Sequence, residues 1–420
     1  MKRLLICLIF ITGMLVGISP TANAETLTFP CGGTATYSVI MPAGIAQDGG
    51  KYENPCSGDL TLDSKVKIIG DLAFDSSRLT SVVIPNSVTT IGYRAFAFSK
   101  ITSVVIPNSV TTIGERAFDQ TKLTSVVIPN SVKSIGVWAF FYTPLTSVTI
   151  PDSVTSIGNG AFAGTSIKTI AIPNSVTTIG EGAFQGSTLE SAVLPNSLFS
   201  IKKETFAGTN LKSIDIPNSI KEIGEGAFSY TQLGSIIIPS SVISIGRNSF
   251  NGAGLASITL SNSVKTIGVG AFSRNYITSI VIPNSVVSIE DSAFSSNSYL
   301  EYVSLPDSLV TLGKDVFGGR NSLKKIEYCG KLYGLPIAHI CPVERQAVID
   351  RAAAELKAKQ EADAKAAADK AAAELKAKAE AASKAAASVK KTTITCVKGK
   401  LTKKVTAVKP LCPNGYKKKV

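Results

Sequence analysis

From Leu60 to about residue 328 the apolar positions of the chain fall into one recurring pattern, L-x-x-V-x-I-P-x-S-V-x-x-I-G-x-x-A-F. Residues 79–96, LTSVVIPNSVTTIGYRAF, are a full copy, and nearly the same wording returns at 101–118, 123–140 and 145–162. Aligned on the closing phenylalanine, the copies end at Phe74, Phe96, Phe118, Phe140, Phe162, Phe184, Phe206, Phe228, Phe250, Phe272, Phe294 and Phe317, with a spacing of 22 residues and a final one of 23. A fixed period of this size predicts a solenoid, because one unit is too small to bury its own apolar face and must stack on its neighbours.

The copy at 79–96 shows what each unit is expected to do. Val82 and Ile84 alternate with outward positions in a short β-branched strand. Pro85 ends that strand, since proline has no N–H for a central ladder. Asn86 and Ser87 form a turn, and Val88 and Ile91 point inward from the next limb. Gly92 permits a tight corner. The ending YRAF is too short for an α-helix and predicts a single helical or 3₁₀ turn. Stacked at ~4.8 Å per strand, a dozen units make a body about 55–60 Å long.

The IPNSVTTIG..AF wording resembles the bacterial surface-antigen (BspA-like) type of leucine-rich repeat, over about residues 60–328. The resemblance implies a curved right-handed solenoid with a parallel sheet on its concave side. It also implies a secreted or surface-exposed protein that binds other macromolecules. The family's usual period is one residue longer, commonly with a Cys or Gly in the loop after the Phe; no such loop here carries a cysteine, which points to a tighter loop on the same fold.

With Val82 and Ile84 inside, Ser81 and Val83 face outward, and the same two positions recur as Ser103 and Val105, then Ser125 and Val127. A hydroxyl ladder beside a partly apolar ladder suits a protein or glycan ligand; it equally suits plain sheet packing between identical neighbours. The Asn86, Asn108, Asn130, Asp152, Asn174, Asn196 and Asn218 series reads as architecture that satisfies backbone groups at a corner. Letters that differ between copies are the better source of specificity. Trp138, the only tryptophan, stands with Phe140, Phe141 and Tyr142 in the most hydrophobic variable cluster, and Trp138 and Tyr142 are candidate ligand contacts.

Outside the repeats the language changes. Residues 1–24 have a basic start (Lys2, Arg3), an apolar run and Ala22-Asn23-Ala24, the signature of a cleaved signal peptide. No later segment has ~20 uninterrupted apolar residues, so the mature chain is expected to be secreted or held at the cell surface without a transmembrane segment. In an oxidising compartment the six remaining cysteines are expected to pair locally, as Cys31 with Cys56, Cys329 with Cys341, and Cys396 with Cys412, although fifteen pairings are formally open. Residues 25–59 then form an N-terminal cap and 60–342 the array with its C-terminal cap. Residues 343–390 hold 20 alanines and favourably ordered pairs such as Glu355/Lys359, which predicts a helical spacer. Residues 391–420 hold nine lysines and no acid, most of the chain's net charge of +13. This segment reads as a small hairpin module whose Lys398, Lys400, Lys403, Lys404, Lys417, Lys418 and Lys419 grip anionic envelope polymers or lipid headgroups.

Catalytic chemistry finds little footing. There is one histidine, His339, no CxxC, GxSxG or HExxH, and no phosphate-binding loop. The expectation is a non-enzyme without metal or cofactor and without nucleic acid as partner. Two functional readings remain open: an adhesin or recognition protein working through the solenoid face, and an envelope component that assembles through its repeats with no specific ligand.

Overall fold

In the computed structural model the described residues are 51–319 and 323–327, with the further strands Thr26–Thr28, Thr34–Thr36, Val39–Ile40, Ala46–Asp48, Thr392–Lys398, Leu401–Ala407 and Lys417–Lys418. The chain divides into two units, residues 1–342 and 343–420. The expected signal peptide, the expected helix over 343–390, and Cys31, Cys329, Cys341, Cys412, Lys400 and Lys419 lie outside the described residues.

The first unit is a β-solenoid of about twelve coils. Most coils carry a three-residue strand, such as Ser103–Val105 or Ser125–Val127, then a two-residue strand, such as Thr112–Ile113 or Ser134–Ile135; in one coil the first is reduced to a single bridge at Ser213. Strands of neighbouring coils pair parallel, residue i against i+22 through most of the array, as Ser81 with Ser103, Val82 with Val104 and Ile91 with Ile113, and against i+23 in the last coils, as Ser279 with Tyr302. The sequence pattern foresaw one sheet and the structure has two. The strands of the first face form short runs of two to four, and the two-residue strands form the longer ladders, seven of them in a sheet of nine and six in a second sheet. A two-residue strand is too short to show alternation, which is why the periodicity hid it.

The core is a set of stacked ladders. The phenylalanines form one continuous column from Phe74 to Phe317, with ring centroids 5.1–5.9 Å apart and planes within 20° of parallel. Val88, Ile91, Leu123 and their equivalents fill the rest of the interior and are buried except at the last coil, where Leu312 and Leu323 are partly buried. Each apolar side chain covers the one below it, so burial per coil depends on having a neighbour.

At the corner the structure corrects one expectation in part. Asn86, Asn108, Asn130, Asp152, Asn174, Asn196 and Asn218 are exposed; Asn174 accepts from the Asn196 N–H at 3.0 Å, while at several corners the serine that follows bonds the backbone. Ser87, Ser109, Ser131 and Ser197 donate their hydroxyls to the carbonyls of Val66, Val88, Val110 and Val176 at 2.5–2.6 Å. The corner glycine is needed for close approach. A Cβ on Gly136 would lie 2.5 Å from the Gly114 carbonyl oxygen, and one on Gly114 would lie 2.7 Å from the Gly92 carbonyl.

The turns around each phenylalanine are not helical. Residues two before and two after it have positive φ: Arg94 (50°) and Phe98 (57°), Arg116 (54°) and Gln120 (52°), Trp138 (50°) and Tyr142 (48°). A left-handed residue ends any helical turn and costs ~1–2 kcal/mol for a side chain with a Cβ. What holds it is the next coil: the N–H groups of Arg94, Phe96 and Phe98 donate to the carbonyls of Glu115, Ala117 and Asp119 at 2.7–2.9 Å. Thr121, Thr143, Thr165 and Thr209 close each turn by donating to the phenylalanine carbonyl three residues back.

Candidate recognition surfaces

Every coil exposes letters on the three-residue strand, on the two-residue strand and around the Phe turn. On the first, the middle residue is inward and its neighbours outward, as alternation requires. Val83, Val105 and Val127 are 56%, 77% and 76% exposed and lie side by side in consecutive coils. Ser103 and Ser125 are exposed beside them. Ser81 is half-buried because its hydroxyl donates to Asp59 at 2.7 Å; this bond and one from Thr80 hold the Asp59 carboxyl below the usual carboxylate range. The valine row continues as Thr149, Ala171, Val193, Asp215 and Ile237, so the apolar part is concentrated in the first coils.

Trp138 and Tyr142 sit on a different ladder, in the turns flanking Phe140, and the structure does not bring them together with the valine row. The Arg116 guanidinium lies over the Trp138 ring, 4.4 Å from its centroid, and reaches Asp119 at 3.3 Å. One coil earlier Arg94 stacks over Phe98 at 5.2 Å and pairs with Asp75 at 3.1 Å. Burial pushes both the Asp75 and the Asp119 carboxyl up, and the attached arginines offset this only in part. Trp138 is half-buried by these contacts and by Gly160, whose missing Cβ leaves room for the indole. Tyr142 is exposed and its ring lies over Gly164.

The pattern also missed the second sheet's outward row. There the residue after each inward valine, leucine or isoleucine reads Thr89, Thr111, Lys133, Thr155, Thr177, Phe199, Lys221, Ile243, Lys265, Val287, Val310. Phe199, Ile243 and Val310 are 69%, 50% and 76% exposed. The signal was present as a variable letter inside TTIG, but without a second strand it had no face to belong to.

In the second unit Thr392–Lys398 and Leu401–Ala407 form the antiparallel hairpin expected from their alternation, and Lys417–Lys418 adds a third strand. Cys396 is opposite Lys403 on one side and Lys418 on the other. The side chains of Lys403 and Lys404 are exposed. Among the described residues, no group of three or more His, Cys, Asp or Glu is placed to hold a metal ion.

A family model described as BspA type leucine rich repeat region matches residues 52–162, 133–252 and 221–336. Among solved structures, a leucine-rich repeat protein from Bacteroides ovatus is 26% identical, with a TM-score of 0.56 over 74% of this chain and 94% of that one. The pneumococcal vaccine antigen PcpA is 19% identical, with a TM-score of 0.52 over 74% of this chain and 89% of that one, a likeness of fold alone. No curated protein matches the sequence.

Proposed function

Because the chain belongs to the BspA-type leucine-rich-repeat family, we propose that it is a non-enzymatic, secreted or cell-surface recognition protein. It binds macromolecular partners through the three-residue-strand face of the solenoid, and its basic C-terminal unit tethers it to anionic envelope polymers or headgroups. The observation that carries this reading is the row Val83, Val105, Val127, exposed in adjacent coils and framed by Ser103 and Ser125. Contiguous apolar area on a soluble surface marks an interaction site. Trp138 and Tyr142, on the turns flanking Phe140, are a separate aromatic patch open to a second contact.

The test compares the wild-type chain with a Val105→Asp, Val127→Asp variant, by sedimentation velocity over a range of concentrations and on an array of extracellular-matrix proteins and glycans. A wild-type monomer that binds the array, with binding lost in the variant, supports recognition. Self-association lost in the variant replaces it with the envelope-assembly reading. Array binding that survives both charges removes the valine row from the function.

A further inference from the structure

The outward row of the second sheet changes character halfway along, and its second half has a period of its own. The N–H of Lys221 donates to the Phe199 carbonyl at 2.8 Å, Ile243 to Lys221 at 2.9 Å, Lys265 to Ile243 at 2.8 Å and Val287 to Lys265 at 2.9 Å. The order in sequence is therefore the order in space. Neighbouring strands of a sheet are ~4.8 Å apart, so Lys221 and Lys265, two rungs apart, stand ~10 Å from one another. Ile243 lies between them, with Phe199 and Val287 on the outer sides. Neither lysine has an ion-pair partner among the described residues. The adjoining positions are Ser200, Glu222, Ser244, Thr266 and Ser288, hydroxyls with a single acid.

We propose that this row binds a linear anionic polysaccharide bearing one acidic group on every second sugar, laid along the solenoid axis. Such a polymer repeats its charge once per disaccharide, a length close to two rungs. Each lysine meets one acidic group, and the apolar residues between lie under the C–H faces of the intervening sugars. Ser244, Thr266 and Ser288 offer hydroxyls to the sugar hydroxyls. An extended peptide repeats every ~6.6–6.8 Å and falls out of step with this row, and a lipid surface imposes no period at all. The site is separate from the valine row on the first sheet and does not depend on it.

The experiment uses the full chain with its C-terminal lysines intact, and a hyaluronan decasaccharide as probe, in a calorimetric titration at low salt. Lys221→Gln with Lys265→Gln is expected to weaken binding about tenfold, and Phe199→Ser with Ile243→Ser to weaken it while leaving its salt dependence in place. Exchanging the residues at 265 and 287 (Lys265→Val, Val287→Lys) keeps composition and charge but breaks the two-rung period, and is expected to cost as much as losing both lysines. Unchanged affinity in the first variant overturns the proposal, and so does wild-type affinity in the exchange variant. Equal lysine-dependent binding of polyphosphate or of phosphatidylglycerol vesicles also overturns it, as charge without sugar. Urea melts that match the wild type establish that each variant is folded.

Discussion

The rungs from Thr89 to Thr177 and those from Phe199 to Val310 occupy one row of the same sheet position, and their side chains behave differently. In the first half Thr89, Thr111, Thr155 and Thr177 turn their hydroxyls back to the carbonyl of the preceding rung, at 3.2–3.4 Å. In the second half Phe199, Ile243 and Val310 stand in solvent. Beneath both halves the interior is the same: buried Val or Leu, buried Ile, and an unbroken phenylalanine column. The two-residue ladder is interrupted once, between Ile179 and Ile201, in the coil where Lys202 replaces the corner glycine and Thr205 the usual alanine. Glu290 also replaces that glycine yet keeps its bond to Ile267 at 2.9 Å, so a corner Cβ alone does not break the ladder. The difference between halves teaches that the repeated letters carry stability and the surface letters are free to carry recognition.

The largest expected effect tests the shared interior. Phe118→Ala and Phe250→Ala, one in each half, are each expected to cost ~3–5 kcal/mol in urea denaturation, by lost burial and a cavity in the column. Costs that differ more than twofold, or a biphasic curve in the wild type, would show that the halves are not equivalent and would break the comparison.

A smaller effect separates two kinds of corner, which occur in both halves. Ser131 donates to the Val110 carbonyl at 2.5 Å, whereas the buried Ser241 hydroxyl has no hydrogen-bond partner. Ser131→Ala is therefore expected to lose ~1 kcal/mol, and Ser241→Ala to lose nothing measurable or to gain slightly. Equal losses at the two sites would mean the serine ladder acts alike throughout.

The smallest concerns Asp119, the one fully buried carboxylate among the described residues, which lies in the first half. Burial raises the Asp119 carboxyl in the folded chain above its unfolded value, and Arg116 only partly opposes this. A raised carboxyl favours the folded state when protonated, so that contribution is complete below the ordinary range near about pH 4 and is lost as pH climbs through the raised value. Asp119→Asn abolishes this titration. Its stability relative to wild type is expected to improve between about pH 4 and about pH 7, read as a shift in urea midpoint, and an unchanged difference across that window would refute the assignment.

Much of the coil was legible because its signals are local. The phenylalanine column, the inward Val82 and Ile84, the outward Ser103, Val105, Ser125 and Val127, and the proline at the strand end each follow from spacing and residue type. The corner was half legible: glycine was foreseen as the residue that permits a tight corner, and the structure shows that it is the neighbouring backbone that leaves no room for a Cβ. Asn86 and Ser87 were both read as turn residues able to bond the backbone, and two small polar residues side by side look alike until one sees that Ser87 reaches the carbonyl below while Asn86 stands in solvent. The second sheet and its outward row were not legible at all, and with them went the Phe199-to-Val310 face.

By itself the sequence determined a stack of coils with a period of 22 and the residues that fill its interior, because burial pattern and repeat length are properties of one copy read against the next. Only the tertiary structure decided where the backbone hydrogen bonds go. The N–H of Trp138 finds its acceptor on Asn159, in the following coil, at 2.8 Å. A bulky residue is thereby held at a positive φ that its own propensity disfavours. The same stacking of each coil on the next assembles two-residue strands, negligible alone, into ladders of seven and six, and so creates the surfaces on which the variable letters stand.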